Sequence, residues 1–243
     1  MNDTSTTNTS DPETIDTDAT ANPKDRIRLL VDIVSDPLCP WCYVGLKSFQ
    51  QAQKKMGDDI VLLPRIRAYQ LNPNTPAEGI DRVAYYEEKF PDKSQRETMM
   101  HQLKAAAVGA GFKFDPSLPK HLPNSRKALQ VIRLAHFDGA QERVAEAIFE
   151  AYWDRGEDIG DDEVLISLAI EAGLDGDNTR RDLAQPVSIN QIIAEVEAFR
   201  RAGVSSVPTF IVNERDGFSG AMPPDRLAAA FKQAAQTTAS SSP

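Results

Sequence analysis

The 243-residue sequence predicts an α/β fold in which a βαβ N-terminal half and a ββα C-terminal half are separated by a large all-helical insertion. Three observations carry this prediction. Residues 26–78 read as strand, helix, strand. From 79 to 203 the apolar residues recur at helical spacing. Strand patterns then return at "VPTFIVN" and "FSGA", within 204–237. Strands that bracket a helical block can share one sheet only if the block is looped out between them.

The first strand is "RIRLLVDIVSD", where Ile27, Leu29, Val31 and Ile33 alternate with Arg28, Leu30, Asp32 and Val34. Both phases are largely apolar, the pattern of a strand covered on both faces. A helix should begin after "DPLCP", placing Cys42, Leu46, Phe49 and Met56 on one face, with Gly57 to end it. "DIVLLPRIRAY" follows as a second strand, and Pro64 marks it as an edge strand or the site of a bulge.

In the insertion, the "SQRE" box at Ser94–Glu97 predicts a helix start, with its end at Gly111. Asn124 is placed to cap a helix running to Gly139. A third helix puts Val144, Ile148, Phe149 and Tyr152 on one face. Asp161 caps a fourth that stops near Gly173, and "SINQIIAEVEAFRRAG" forms a last one ending at Gly203. The terminal helix "PPDRLAAAFKQAAQ" opens on proline, and residues 238–243 are expected to fray.

The net charge of −9 is uneven. Residues 1–23 hold five acids and no Lys or Arg, with Ile15 their only large aliphatic side chain after Met1. Such a stretch buries too little apolar surface to offset its ordering entropy, so residues 1–25 are expected to be a disordered acidic tail. It lacks the basic start and the apolar run of roughly 7–15 residues of a signal peptide. No apolar run is long enough to span a bilayer, and an acidic chain lacks the basic face that nucleic acid requires. A cytoplasmic protein with no membrane or nucleic-acid partner is the expectation.

Chemistry concentrates in "DPLCPWCYVG", which holds both cysteines of the chain, Cys39 and Cys42. A structural zinc site needs four ligands. The further candidates, His101, His121 and His136, are scattered, and Tyr43 stands where a haem-attachment motif needs histidine. No metal is therefore expected. As ordinary buried residues, Cys42 fits the apolar face of its helix but Cys39 does not. Cys39 falls at the helix N-terminus, where unpaired backbone N–H groups favour a thiolate. In mid-helix, i and i+3 Cβ atoms lie about 5–6 Å apart, beyond the ~3.5–4.5 Å of a disulfide. In a first turn opened by Pro40, Cys39 can tilt inward. The expectation is an exposed nucleophile beside a buried resolving thiol. Far along the chain, Pro208 opens a strand that would face this motif, and a cis Val207–Pro208 bond would turn the Val207 backbone toward an extended substrate.

"DPLCPWCYVG", "YQLNP" and "GVSSVPTFIVN…FSGA", in this order around a helical block, resemble the DsbA-like thioredoxin superfamily. Within it they are most similar to the FrnE-type disulfide oxidoreductases, relatives of the 2-hydroxychromene-2-carboxylate isomerases and kappa-class glutathione transferases. The resemblance spans about residues 27–236. It implies a thioredoxin-like fold, Cys39 as nucleophile, Cys42 as resolving thiol, Pro40 and Trp41 as the residues between them, and Val207 and Pro208 as the substrate-binding pair. Asp36 matches an acidic position of the family, here read as a turn former ahead of Pro37.

Two departures separate this chain from the isomerases and transferases. Those relatives carry serine where Cys39 stands, and they follow the strand-end glycine with Ser-Asp, whereas Gly220 is followed by Ala221 and Met222. Thioredoxin's buried carboxylate six residues before the nucleophile is also missing, because that position is Ile33 and alternation aims Asp32 at the other face. The resemblance thus implies a thiol–disulfide oxidoreductase with protein or small-molecule thiols and disulfides as partners. Its redox centre would be the Cys39–Cys42 disulfide, with no bound cofactor and with glutathione as a potential co-substrate. The alternatives are a glutathione-dependent isomerase or transferase, and a redox-gated chaperone or binding module.

Overall fold

The computed structural model describes residues 26–240. The acidic opening segment, expected to be disordered, lies outside them. Strand β1 (Ile27–Ser35) leads through a short loop into helix α1 (Pro40–Gln53) and then into β2 (Ile60–Ala68), which pairs parallel to β1. After the helical block, β5 (Thr209–Val212) pairs antiparallel with β1, and β6 (Asp216–Ser219) with β5. The sheet order is β2-β1-β5-β6.

Two-phase apolarity in β1 has its cause here. The strand is hydrogen-bonded on both sides, and Leu29, Val31, Ile33 and Val34 are all buried. β2 is an edge strand, so Pro64 takes its place opposite Val31 without a bulge in the register. Helix α9 (Pro224–Ser240) packs on β1 and along α1, and Phe49, Phe210, Phe218 and Phe231 interlock there.

The block between β2 and β5 is helical apart from a two-residue pairing of β3 (Ile80–Asp81) with β4 (His121–Leu122), which the periodicity does not show. Its helices are α2 (Arg82–Lys89), α3 (Lys93–Gly109), α4 (Arg126–Leu134), α5 (Gln141–Arg155), α6 (Asp162–Glu171), α7 (Gly176–Leu183) and α8 (Pro186–Arg201). Helices α4, α5 and α8 pack against β2.

Several boundaries differ from the expected ones. Helix α3 starts at Lys93, and Asp92, not Ser94, is its cap, accepting from the backbone N–H of Ser94 at 2.8 Å. A carboxylate one residue outside the first turn reaches the orphan donors better than a serine already inside it. Helix α4 ends at Leu134, and turns occupy the stretch to Gly139. Helix α1 ends at Gln53, ahead of Gly57. Asp161 does cap α6, accepting from Glu163 and Val164. The two short polar helices α2 and α7 carry too few apolar residues for periodicity to reveal.

The C-terminal stretch expected to fray from residue 238 is helical through Ser240. Asn213, in the β5–β6 turn, donates to the Thr238 hydroxyl at 3.1 Å and accepts from the Leu30 N–H at 3.0 Å. A contact between segments far apart in sequence ties down the last turn.

Candidate active site

Cys39 occupies the cap position of α1 with extended backbone, and Pro40 is the first helical residue. The Cys39 carbonyl accepts the N–H of Cys42 at 3.0 Å, while the Cys39 N–H donates to the Asp36 carbonyl at 2.9 Å. One cysteine therefore closes a tight turn and opens a helix. Two more contacts pin the turn. The indole N–H of Trp153, on α5, donates to the Pro37 carbonyl at 3.0 Å. The carboxyl of Asp36 accepts from the N–H of Leu38 at 3.1 Å and of Leu71 at 2.7 Å.

Asp36 is more than a turn former. It is fully buried, and burial pushes its carboxyl up from the usual 3.8 to about 6, against the pull of its hydrogen bonds to Leu71, Leu38 and Ser125. It joins the cysteine loop to the segment after β2. Asp32 points elsewhere, as alternation requires, and makes paired contacts of 2.7 Å with Arg65.

On the other side of the sulfur stands the chain entering β5. The Val207–Pro208 bond is cis, and the Cys39 thiol lies 3.7 Å from the Val207 carbonyl. The Gly220 N–H donates to the Pro208 carbonyl at 2.7 Å, with Gly220 at a φ of 95° that favours glycine. Gly45 lets α1 approach closely, since a Cβ at that position would lie 2.7 Å from the Pro208 ring. The sequence hints at this contact through a glycine inside a helix, where it is intrinsically unfavourable.

Cys39, Cys42, Pro40, Trp41, Val207 and Pro208 thus come together around one sulfur. Both cysteines are free thiols. Burial pushes the Cys42 thiol well above the ordinary range, and the neighbouring Cys39 adds to that effect. Cys39 is not the exposed thiol expected from its helix-terminal position. It is 4% exposed, at the wall of a cavity of about 1070 Å³ shared with Pro40 and Trp41. Residues of α2, α3 and the 116–120 loop form much of the remaining wall. The helical insertion covers the sulfur, and that follows from tertiary packing alone.

The same packing explains Tyr43, next to Cys42. Its ring stacks on Phe149 at 5.4 Å, meets Phe112 edge-on at 4.7 Å, and its hydroxyl donates to Asp154 at 2.6 Å. Helix α1 is thereby clamped to α5 of the insertion. Arg82 and Tyr86 line the cavity too, on a helix that the hydrophobic pattern does not reveal.

Brief treatment of the reduced protein with a small alkylating agent near neutral pH is expected to label Cys39 first. Cys39 borders the cavity, whereas Cys42 is sealed and held protonated by burial. Peptide mapping reads the outcome, and preferential labelling of Cys42 would reverse the order.

The described residues contain no helix long and apolar enough to cross a membrane. Comparison with known proteins finds a relative from Bacillus subtilis (strain 168), the uncharacterized protein YwbO, 27% identical over 185 residues that cover 76% of this chain and 86% of the relative. The crystal structure of a probable DsbA oxidoreductase from Streptomyces coelicolor superposes with a TM-score of 0.73 at 26% identity, over 85% of this chain and 89% of that one. The cytosolic disulfide reductase DsbM from Pseudomonas aeruginosa, solved with GSH, shares the fold with a TM-score of 0.59 at 19% identity, over 85% of this chain and 99% of that one. The profile of the DSBA-like thioredoxin domain matches residues 30–232, most of the sheet and all of the insertion. With a CxxC pair on the first turn of α1 facing a cis-proline, the chain belongs to the family of DSBA-like thioredoxin domains, oxidoreductases in kind.

Proposed function

We propose that the protein is a thiol–disulfide oxidoreductase with Cys39 as the attacking sulfur and Cys42 as the resolving one. The observation that carries this reading is the placement of Cys39. It is the cap residue of α1, it borders the cavity, and its sulfur is 3.7 Å from the carbonyl that precedes Pro208. The first turn of a helix presents backbone N–H groups that stabilise a thiolate.

In the reducing direction the Cys39 thiolate attacks one sulfur of a substrate disulfide. A Cys39–substrate disulfide forms, the substrate S–S bond breaks, and the first product leaves as thiolate. Cys42 then gives up its proton and attacks Cys39, expelling the second product thiolate. The substrate disulfide is reduced by two electrons and the enzyme dithiol is oxidised to the Cys39–Cys42 disulfide. In the oxidising direction the same steps run backwards. In this reading Val207 pairs with an extended substrate through its backbone, with Pro208 fixing its direction. Trp41 and Pro40 contribute apolar wall beside the sulfur.

Glutathione is a fitting co-substrate, since it re-reduces or re-oxidises such a pair without any bound cofactor, and a neighbour of the same fold has been solved with GSH. A cytoplasmic setting agrees with that chemistry.

Equilibration with glutathione redox buffers, read by quantifying free thiols, tests the reading. Trp41 stands between Pro40 and Cys42, and its indole N–H brings no positive charge to the thiolate. The expected potential therefore lies between the roughly −120 mV of DsbA and the roughly −270 mV of thioredoxin. A pair that takes up no oxidising equivalents at any glutathione ratio would overturn the assignment.

A further inference from the structure

The chain carries a net charge of −9, yet the cavity beside Cys39 is basic. Six lysine and arginine side chains line it against two glutamates. Two of the six are compensated, Lys93 by Glu97 at 3.9 Å and Lys104 by Asp115 at 3.4 Å. The other four, Arg82, Lys89, Arg96 and Lys120, have no carboxylate within 4 Å among the described residues. Lys89 donates to the Tyr85 hydroxyl at 2.7 Å, Arg96 to the Phe90 and Pro91 carbonyls, and Lys120 to the Ser117 carbonyl at 2.9 Å. Neutral acceptors orient these groups and leave their charge in place.

Arg82 is the most telling of the four. It is 7% exposed, its two terminal nitrogens donate to the Pro116 and Pro119 carbonyls, and its Nε has no partner. Fastening the 116–119 loop accounts for those two bonds. It does not account for placing a full charge there, because a buried cation without a counter-anion is costly. The rings of Tyr86 at 4.6 Å and Trp153 at 5.1 Å offset part of that cost. A carboxylate entering the cavity would supply the missing charge, in a setting of low dielectric where the attraction is strengthened.

Cys39 is recessed at the cavity wall, and a volume of about 1070 Å³ suits a ligand of modest size, which favours a small molecule as the occupant. Much of the wall is apolar, from Val83, Phe90, Met99, Met100 and Leu103, so the ligand combines carboxylates with a less polar body.

We propose that the cavity selects small anionic thiols and disulfides, whose carboxylates are drawn in by Arg82, Lys89, Arg96 and Lys120 while a sulfur reaches Cys39. The insertion, through α2, α3 and the 116–120 loop, is then the element that sets substrate charge. This rests on the thiol–disulfide reading above.

The test uses the full-length reduced protein and two aromatic disulfides, the dianionic dithiobis(nitrobenzoate) and the neutral dithiodipyridine. Each oxidises the Cys39–Cys42 dithiol in one turnover and releases two coloured thiols or thiones, followed by stopped-flow absorbance. The quantity read is the ratio of the anionic to the neutral rate constant. In a Lys89→Glu/Arg96→Glu/Lys120→Glu variant that ratio should fall about tenfold or more, the scale of electrostatic steering into a charged cleft. Added salt should lower the wild-type ratio in the same direction. Arg82→Gln should lower it on its own, and if that variant fails to fold the three-site variant still decides. An unchanged ratio, with both probes consumed, overturns charge selection and leaves the oxidoreductase reading standing. If neither probe oxidises the wild-type dithiol, both fall together.

Discussion

Replacement of Cys39 by serine is expected to reduce disulfide turnover to the uncatalysed background, while Cys42→Ala is expected to accumulate mixed disulfides through Cys39. The two outcomes follow from the different places the thiols hold. Cys39 caps α1 beside the cavity, so in the proposed mechanism it is the sulfur a substrate meets. A serine hydroxyl at that position has the shape but not the ionisable thiol that exchange requires. Cys42 is one turn inside, sealed, and its thiol is pushed upward by burial and by its neighbour. Removing it leaves the first step intact and takes away the group that expels the product. Non-reducing electrophoresis with mass spectrometry of the adduct reads the second variant, and a disulfide-substrate assay reads the first. Near-wild-type turnover of Cys39→Ser would end the proposed mechanism.

Asp36→Ala is expected to destabilise the fold by about 2–4 kcal/mol at pH 5, because it leaves the buried N–H of Leu38 and the part-buried N–H of Leu71 without acceptors. The pH dependence is a second signature. Burial raises this carboxyl from 3.8 to about 6, so the folded state holds the proton more tightly than the unfolded chain does. The stability it contributes is fully present below about pH 4 and is lost as the pH rises through about 6. That difference in proton affinity is worth about 3 kcal/mol between those limits. Asp36→Asn should flatten that part of the stability profile, and denaturant titrations of both proteins at about pH 4 and about pH 7 measure the difference. An identical pH profile for wild type and Asp36→Asn would show that the group does not titrate in this window. Asp36 also positions the loop that carries Cys39, so slower exchange should accompany the loss of stability.

How much could be read ahead of the structure depended on whether the information was local. β1 was legible because both its phases are apolar, and Pro64 left β2 as an edge strand or a bulged one, a choice the sheet order decides for the edge. Helices α5, α6 and α8 showed through apolar spacing, and the Asp161 cap was recognisable as the first of three acids leading into the apolar run that begins at Val164. The polar helices α2 and α7 bury only Arg82 in one and Thr179 and Leu183 in the other, so no periodic signal reports them. The Asp92 cap was masked by a better-looking box two residues later. The last turn of α9 is bonded to Asn213, which no local pattern connects to Thr238.

The same division runs through the site. Sequence alone determined that two cysteines, three positions apart, would share the first turn of a helix opened by proline, because strand, turn and helix signals there span only a few residues. It also determined which proline would begin the returning strand. Tertiary structure decided the rest: that Cys39 is recessed, that Gly45 makes room for Pro208, that Asp36 is buried and bonded to Leu71, and that an acidic chain keeps a basic cavity beside the Cys39 sulfur. Each of these is a contact or a field between segments tens of residues apart. Burial and electrostatic potential are sums over neighbours in space, and local periodicity carries no record of them.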